Sequence, residues 1–294
     1  MSEYTKQALE EAFERFTNFD RLGKGGEGAV YAVYDLWKRQ DLALKVMQDM
    51  GDPKLRERFY YEYGILAVSG SKRLVKVFDR GEVPIRMQDG HVKNHFWYTM
   101  ERCSSNLRRE YKNFSLEERI EAGLQLLDAL AFLHAKGVAH RDIKPENIFL
   151  VGRVEIKLGD FGLAMPSGQG VVDELRDELI LGSPPYLAPE RWKGEVGQDF
   201  RPSDQYAAAV VFFELLSKGH APLPFSGRDL RSYYEGHMKG QVLSLSVPEL
   251  GERRLLIVDR VIQKMLAKRP GERYPDMASC KRELSVAMAM DGLM

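Results

Sequence analysis

A segment of eight residues near the middle of the chain restricts the possible folds more than any other feature. It reads His-Arg-Asp-Ile-Lys-Pro-Glu-Asn and runs from residue 140 to residue 147. In such a segment Asp142 can take the proton from an attacking hydroxyl group, Lys144 can neutralise charge on a phosphoryl group, and Asn147 can hold a metal ion. A proline among charged residues also occurs in ordinary surface loops, so the remainder of the chain must decide between the two interpretations.

The composition predicts a soluble globular protein without net charge. The chain has 294 residues, of which 43 are basic and 43 are acidic, so no global field favours nucleic acid or an anionic membrane as a partner. The charged N-terminal segment argues against an ordinary secretory signal, and the longest apolar run, Tyr206–Phe213, is too short to span a bilayer. Two cysteines, Cys103 and Cys280, lie far apart and beside no pair of histidines at metal-binding spacing. We therefore expect a reducing, cytoplasmic setting, while the oligomeric state stays undetermined.

A second motif lies between Leu22 and Val30. It places Gly23, Gly25 and Gly28 in the order G-x-G-x-x-G. Glycines let the backbone fold closely over phosphate oxygens and present its amides to them. Flexible hairpin turns and dinucleotide-binding folds use similar spacing, so the residues that follow are needed to separate these cases.

The residues after the glycines predict two strands with no helix between them. These strands are Val30–Asp35 and Leu42–Met47, which are rich in β-forming residues and alternate in polarity. A Rossmann unit requires a helix after its glycines, so the pattern excludes an oxidoreductase of that class.

The helix predicted over Lys54–Leu66 carries one carboxylate, Glu62, on its apolar side. Burial of an unpaired carboxylate is costly, so Glu62 requires a cationic partner. Lys45 on the preceding strand is the obvious candidate. Glu57 is an alternative to Glu62 that is less well placed.

Periodicity and turn signals locate the other elements. We expect two further strands joined across Asp89-Gly90, which completes a five-stranded part with one main helix. A capping box at Ser115 and Glu118 begins a long helix that ends at Gly137. The remaining predicted elements are an amphipathic helix over Glu3–Phe16, strands Leu74–Asp79 and His95–Met100, a hairpin of Ile148–Leu150 with Glu155–Leu158, a buried helix Asp204–Leu216, an exposed helix Arg228–Lys239, and helices Glu252–Leu266 and Met277–Met290.

Taken in order, these motifs resemble a eukaryotic-like protein kinase over roughly residues 16 to 285. The resemblance also includes Ala43-Leu-Lys45, Gly159-Asp-Phe-Gly162 and Ala188-Pro-Glu190. Lys144 lies two residues after Asp142. At this position the chain resembles the serine/threonine class of kinases more than the tyrosine class. The resemblance implies an α+β, bilobal fold with a helical extension over residues 1–15, a small β-rich lobe over residues 16–103 and a larger α-helical lobe over residues 104–294.

The resemblance further implies a site for ATP and Mg²⁺ and a protein as substrate. Asp142 is then the catalytic base, with Lys144 beside it. The other implied site residues are Lys45 and Glu62 for positioning phosphates, Asn147 and Asp160 as metal ligands, and Leu22, Gly23, Gly25, Gly28, Val30, Ala43, Lys45, Met100, Glu101, Cys103 and Phe149 for binding the nucleotide.

The proline-rich loop that ends at Glu190 resembles a substrate-docking segment. The resemblance implies that Arg273 pairs with this glutamate and that Asp204 is tied to the catalytic loop. A buried ion pair of that kind fixes geometry more than it stabilises the fold.

The segment that Arg141 would be expected to bind differs from the usual pattern in such kinases. In such kinases this arginine grips a phosphorylated threonine, but residues 160–190 contain no threonine. We hypothesise that Asp177 or Glu178 pairs with Arg141 in place of a phosphate. Phosphorylation of a serine, or a partner protein, is the alternative means of ordering the segment.

Two alternatives to a protein kinase remain. A pseudokinase scaffold would keep the fold and lose the chemistry, but no matched catalytic position is altered. A phosphotransferase for small molecules shares the aspartate and asparagine of the catalytic loop, yet lacks the docking segment present here. Neither the substrate nor its pathway follows from the sequence.

Overall fold

A computed structural model of the chain describes residues 4–24, 28–47, 53–87, 89–166, 182–194, 199–218 and 229–289. The chain divides into two compact units, residues 1–104 and residues 105–294. Within the described ranges, no helix has both the length and the apolar character needed to cross a membrane.

The first unit contains an antiparallel sheet of five strands in the order β1-β2-β3-β5-β4. This confirms the predicted five-stranded part. The chain reverses between the last two strands at Gly90, which has a φ of 84°, and the Met87 amide donates to the His91 carbonyl at 2.7 Å. The strands are β1 Phe16–Lys24, β2 Gly28–Asp35, β3 Gln40–Met47, β4 Val77–Arg86 and β5 Val92–Glu101.

Two helices, α1 Lys6–Ala12 and α2 Pro53–Ser69, cover opposite faces of this sheet. Alternate residues of a strand point to opposite faces. On β3, Met47 packs against Phe59 of α2, whereas its neighbour Val46 belongs to the cluster that contains Leu9 of α1. Lys45 therefore points to the α2 face.

The predicted N-terminal helix is too long. Helix α1 ends at Ala12, and Phe16 is the first residue of β1, where it pairs with Asp35. The Phe16 ring still contacts the Phe13 ring, with centroids 5.6 Å apart. Helical spacing correctly identified the buried residues. It could not show that the last of them, Phe16, lies on a strand.

The strand predicted over Leu74–Asp79 is also misplaced. Leu74 and Val75 are buried in the segment before the strand, and β4 instead continues through a charged run to Arg86. The buried residues Val83 and Ile85 alternate with the exposed residues Glu82, Pro84 and Arg86, which is the pattern of a half-buried strand. The more apolar segment was mistaken for the strand.

The second unit is mainly helical. Its long helix α4 begins at the predicted capping box, in which the Ser115 hydroxyl accepts from the Glu118 amide and the Glu118 carboxylate accepts from the Ser115 amide. Gly137 follows it with a φ of 71°, as predicted. The helices are α3 Leu107–Glu110, α4 Leu116–Ala135, α5 Pro189–Trp192, α6 Arg201–Leu216, α7 Leu230–Lys239, α8 Glu252–Met265 and α9 Met277–Ala289, and the strands are β6 Ser105–Asn106, β7 Val138–Ala139, β8 Ile148–Val151, β9 Glu155–Leu158 and β10 Met165–Pro166.

Helix α6 is buried from Ser203 to Leu216, which confirms the prediction of a central helix. The prediction of an exposed α7 is only partly right. Gly236 and His237 are buried, and the His237 Nδ1 atom lies 3.0 Å from the Tyr206 hydroxyl of α6. One side of α7 thus packs on the core.

A pair of glycine substitutions tests the packing of α4 on α6. A Cβ atom at Gly123 of α4 would lie 2.3 Å from the Phe212 ring, whereas at Gly64 of α2 no heavy atom of the described residues lies within 4 Å. Alanine is the better helix former at both positions. We expect Gly123→Ala to lower the free energy of unfolding by about 1–3 kcal/mol through overpacking, and Gly64→Ala to raise it by up to about 1 kcal/mol. Urea denaturation measures both, and stabilisation by Gly123→Ala would contradict the packing.

Candidate active site

The backbone of residues 140–147 is fixed by Asp204, which lies in the first turn of α6. Its carboxylate accepts from the His140 amide at 2.7 Å and the Arg141 amide at 2.8 Å, and lies 2.9 Å from the His134 Nε2 atom. Burial alone would raise the pKa of Asp204, but these hydrogen bonds and nearby positive charge hold that pKa below its usual value. The prediction that Asp204 is tied to this loop is confirmed.

The three residues singled out in the octapeptide meet at the carboxylate of Asp142. The Lys144 ammonium donates to its Oδ2 atom at 2.7 Å, and the Asn147 amide donates to the same atom at 3.0 Å and to the Asp142 carbonyl at 2.9 Å. The Oδ1 atom accepts from the Ser183 hydroxyl at 3.1 Å. The carboxylate of Asp142 therefore accepts from three side-chain donors, one of which is a hydroxyl group.

The hairpin of β8 and β9 brings Asn147 beside Asp160. Ile148 pairs with Leu158, and the Gly159 amide donates to the Asn147 carbonyl at 3.1 Å, so Asp160 directly follows a residue bonded to Asn147. Since the Asn147 amide nitrogen donates to Asp142, its side-chain oxygen is the atom that can face a cation.

This donor set suits Mg²⁺. That ion favours oxygen ligands and is usually held by one or two protein side chains together with phosphate and water. In the part of the chain that the structure describes, no group of three or more His, Cys, Asp or Glu residues forms an all-protein metal cage. An asparagine oxygen and one carboxylate fit an ion that is shared with a phosphate.

His140 joins the octapeptide to the segment that carries Asp160. Its Nε2 atom lies 3.1 Å from the Gly159 carbonyl, and its ring lies 4.6 Å from the ring of Phe161. Both side chains are buried. The two motifs of the second unit therefore form one packed assembly.

In the first unit, the predicted ion pair between Lys45 and Glu62 is confirmed. The Lys45 Nζ atom lies 2.5 Å from the Glu62 Oε2 atom, and both side chains are buried. The rings of Phe59 and Tyr98 lie 5.9 and 6.0 Å from the ammonium group. Glu57, the alternative partner, is exposed.

The glycine motif lies in the β1–β2 hairpin, and Gly25 falls outside the described residues. Leu22 and Gly23 belong to β1, and Gly28 and Val30 belong to β2. A Cβ atom at Gly28 would lie 2.6 Å from the Val46 carbonyl oxygen, so only glycine lets β2 approach β3 this closely. Contacts of these residues with phosphate stay a prediction.

The predicted adenine-contacting residues lie on several strands. Ala43 of β3 pairs with Met100 of β5, Glu101 ends β5, and Cys103 follows it half-buried. In the second unit, Phe149 lies half-buried on β8, opposite Lys157. Their role in binding the base stays a prediction.

The docking segment is anchored as predicted. The Arg273 guanidinium donates to both carboxylate oxygens of Glu190 at 2.8 Å, and the Ser203 hydroxyl donates to one of them at 2.8 Å. Burial would raise the pKa of Glu190, but the bonds and charge of Arg273 hold that pKa below its usual value.

The hypothesis about Arg141 has a different outcome. Asp177 and Glu178, like Ser167, lie outside the described residues, so their pairing stays a prediction. Arg141 itself stacks on the ring of Phe200 at 4.4 Å and has a φ of 70°. The stacking shows where the guanidinium group lies in the second unit.

Sequence reasoning missed a partly buried polar cluster around Arg108 of α3. Its guanidinium donates to Glu146 at 2.7 Å, to Glu214 of α6 and to the Tyr186 hydroxyl. The Tyr186 hydroxyl and the Tyr111 hydroxyl donate to Glu214 at 2.7 and 3.1 Å. A signal was available, because Glu214 is the one charged residue in the apolar stretch Tyr206–Leu216 of α6 and so requires partners.

Most of the sequence also matches a known protein family. A family model described as protein kinase domain matches residues 16–283. The chain belongs to the protein kinase domain family.

Three relatives of this kinase domain are bacterial. It is 31% identical over 278 residues to the serine/threonine-protein kinase Pkn1 of Myxococcus xanthus, which covers 92% of the chain and 38% of the relative. It is 29% identical over 277 residues to the serine/threonine-protein kinase PknB of Mycobacterium tuberculosis, covering 92% of the chain and 42% of the relative. It is 29% identical over 271 residues to the probable serine/threonine-protein kinase PknB of Corynebacterium glutamicum, covering 90% of the chain and 40% of the relative. The kinase domain thus spans about two fifths of the length of these relatives.

Substitutions of Lys45 and Glu62 in this kinase domain test how strongly the two side chains of the ion pair stabilise each other. Lys45→Met leaves the Glu62 carboxylate buried without its cation, so we expect the free energy of unfolding to fall by about 3–5 kcal/mol. Glu62→Gln should lose less, because its amide oxygen still accepts from Lys45. The double variant should lose less than the sum of the two.

Denaturant titration of the four proteins measures these losses. Glu57→Gln is the matched control, since that carboxylate is exposed on the same helix, and we expect a change within about 0.5 kcal/mol. Additive losses at Lys45 and Glu62 would show that the two groups do not interact.

Proposed function

We propose that this chain transfers the γ-phosphate of ATP to serine or threonine hydroxyls of protein substrates. The observation that carries the proposal is the convergence of Lys144, Asn147 and the Ser183 hydroxyl on the carboxylate of Asp142. The serine/threonine-protein kinases among the relatives support the same class of acceptor. We also propose that the two units form one kinase domain, preceded by a helical extension over residues 1–15.

Asp142 is the proposed base. The Ser183 hydroxyl donates to its Oδ1 atom at 3.1 Å, which gives an example of a hydroxyl oriented towards this carboxylate. A substrate hydroxyl in the same relation would give its proton to Asp142 while its oxygen attacks the γ-phosphorus atom of ATP. The bond from that atom to the β-phosphate oxygen would break, with ADP as the leaving group. Lys144 and Asn147 hold the carboxylate in place through its other oxygen, and Lys144 adds positive charge close to the moving phosphoryl group.

Asn147 and Asp160 would hold Mg²⁺. When bound, the ion neutralises charge on the phosphate oxygens. The contribution of the chain is to fix the two ligands, since the Asn147 amide is oriented by Asp142 and the backbone of Gly159 is bonded to Asn147.

Lys45 would position the phosphates from the first unit. Its ammonium group is already oriented by Glu62 at 2.5 Å, which removes most of the cost of ordering a long side chain when a phosphate arrives. The hairpin of Gly23 and Gly28 would present its amides to the same phosphates, as the glycine motif predicts.

A reducing, cytoplasmic location is part of the proposal. Cys280 is buried and Cys103 is half-buried, and the two do not form a disulfide. Burial raises the pKa of Cys280 to about 12, so that thiol is unreactive at neutral pH.

Replacement of the base is the direct test of the proposed function. We expect Asp142→Asn to lower kcat by about 10²–10⁴-fold, because it removes the proton acceptor and retains the shape of the site. ATP affinity should change by less than twofold, since Asp142 faces the acceptor hydroxyl. Radiolabelled phosphate transfer to a generic protein, followed by phosphoamino-acid analysis, measures rate and acceptor type together. Wild-type turnover in the variant, or label found on tyrosine, would contradict the proposal.

The metal ligands are tested by the magnesium dependence of nucleotide binding. We expect Asn147→Ala and Asp160→Asn each to raise the Mg²⁺ concentration required for half-maximal ATP binding by at least about tenfold, because each removes an oxygen ligand. Calorimetric titration with ATP at several Mg²⁺ concentrations measures this without turnover. Glu155→Gln on β9 is the control, since its carboxylate is exposed on the same hairpin. A lowered melting temperature with unchanged magnesium dependence would assign the residues a structural role.

A further inference from the structure

The segment Tyr4–Phe13 precedes the region matched by the family model, which begins at residue 16, yet it forms part of the core of the first unit. Leu9 is fully buried and Phe13 is 5% exposed. They share one cluster with Leu44 and Val46, the two neighbours of Lys45 on β3. The segment therefore packs directly on the strand that carries the proposed phosphate-binding lysine.

Tyr4 and His95 make a specific polar contact with the end of that strand. The Tyr4 hydroxyl donates to the Met47 carbonyl at 2.7 Å and lies 2.9 Å from the His95 Nδ1 atom. That nitrogen lies 2.8 Å from the same carbonyl. Because a carbonyl oxygen only accepts, we assign the proton of His95 to Nδ1, so that two side-chain donors converge on one carbonyl oxygen.

The position of Met47 gives this contact its importance. The pairing of β3 with β5 ends at Val46, opposite Trp97, so Met47 lies just beyond the last pair of that ladder. On its other side Met47 pairs with Gly28 of the glycine motif. Tyr4 and His95 thus hold the point where β3 leaves β5, two residues after Lys45.

We propose that Tyr4 is a positioning residue for nucleotide binding: with His95, its hydroxyl fixes the carboxyl end of β3 and thereby orients Lys45 and the adjoining Gly28. This inference rests on the proposed function, in which those two residues meet the phosphates of ATP. Burial raises the pKa of the Tyr4 hydroxyl, so it keeps its proton and remains a donor at neutral pH. The segment before the family match then serves nucleotide binding without touching the nucleotide.

The test is Tyr4→Phe in the full chain, which removes one hydroxyl and retains the ring. Loss of one buried hydrogen bond corresponds to about a three- to tenfold change in an equilibrium constant. We expect the dissociation constant for ATP to rise by that factor, while kcat at saturating ATP changes by less than twofold. Amide hydrogen exchange in residues 40–47 should accelerate by a similar factor.

Tyr34→Phe is the matched control. Tyr34 lies on β2 of the same sheet but pairs with Asp41, at the opposite end of the ladder from Met47. We expect wild-type ATP affinity and wild-type exchange in residues 40–47. Equal effects of Tyr34→Phe and Tyr4→Phe would overturn the proposal.

His95→Asn supplies an independent arm. Asparagine retains a donor near the position of Nδ1, so His95→Asn should change the ATP dissociation constant less than His95→Leu does. The effects of His95→Leu and Tyr4→Phe on that constant should combine less than additively. A lowered melting temperature in Tyr4→Phe with unchanged ATP affinity and unchanged local exchange would reduce Tyr4 to a structural role and overturn the proposal. If the wild type binds ATP but transfers no phosphate, the proposed function fails, and ATP affinity and exchange still decide the role of Tyr4.

Discussion

The second unit depends on the hydrogen bonds that the buried carboxylate of Asp204 accepts. It satisfies two consecutive backbone amides, those of His140 and Arg141, from a helix that is itself buried. Arg141 has a positive φ, a conformation that is costly for a residue with a side chain and persists only where surrounding contacts enforce it. Since any shift of the loop would leave a buried charge without its donors, the helix, the strained residue and the Asp142 carboxylate that follows form one rigid assembly.

Carboxylates on helices that are buried or mostly buried recur as fixed points in both units. Glu62 on α2 orients Lys45, Glu190 at the start of α5 is clamped by Arg273, and Glu214 on α6 gathers Arg108 and Tyr186. Each of these carboxylates depends on its partner, because an unpaired charge in a packed interior is strongly unfavourable. The charged pairs thus fix the positions of these side chains. The stability of the fold comes from the apolar residues around the pairs.

The sequence predicted most reliably the features that depend on a few neighbouring residues, or on a buried charge that requires a partner. The capping box at Ser115, the spacing within the octapeptide and the need of Glu62 for a cation all follow from a few residues and are present in the structure. The start of β4 was missed because burial of Leu74 depends on contacts made elsewhere in the chain, and periodicity does not report which element buries a residue. For the cluster around Arg108, Glu214 shows that partners are needed, but the sequence does not show which distant segments supply them.

The cluster around Arg108 also has a consequence for the order in which the second unit folds. Its partners Glu146, Tyr186 and Glu214 lie 38, 78 and 106 residues away along the chain. Contacts of such high sequence separation carry a large loop-closure entropy and form only after the intervening helices have been brought together. The cluster around Arg108 therefore ties together three segments that are distant in the chain, and a nascent chain that ends before Glu214 cannot complete the cluster that holds Tyr186.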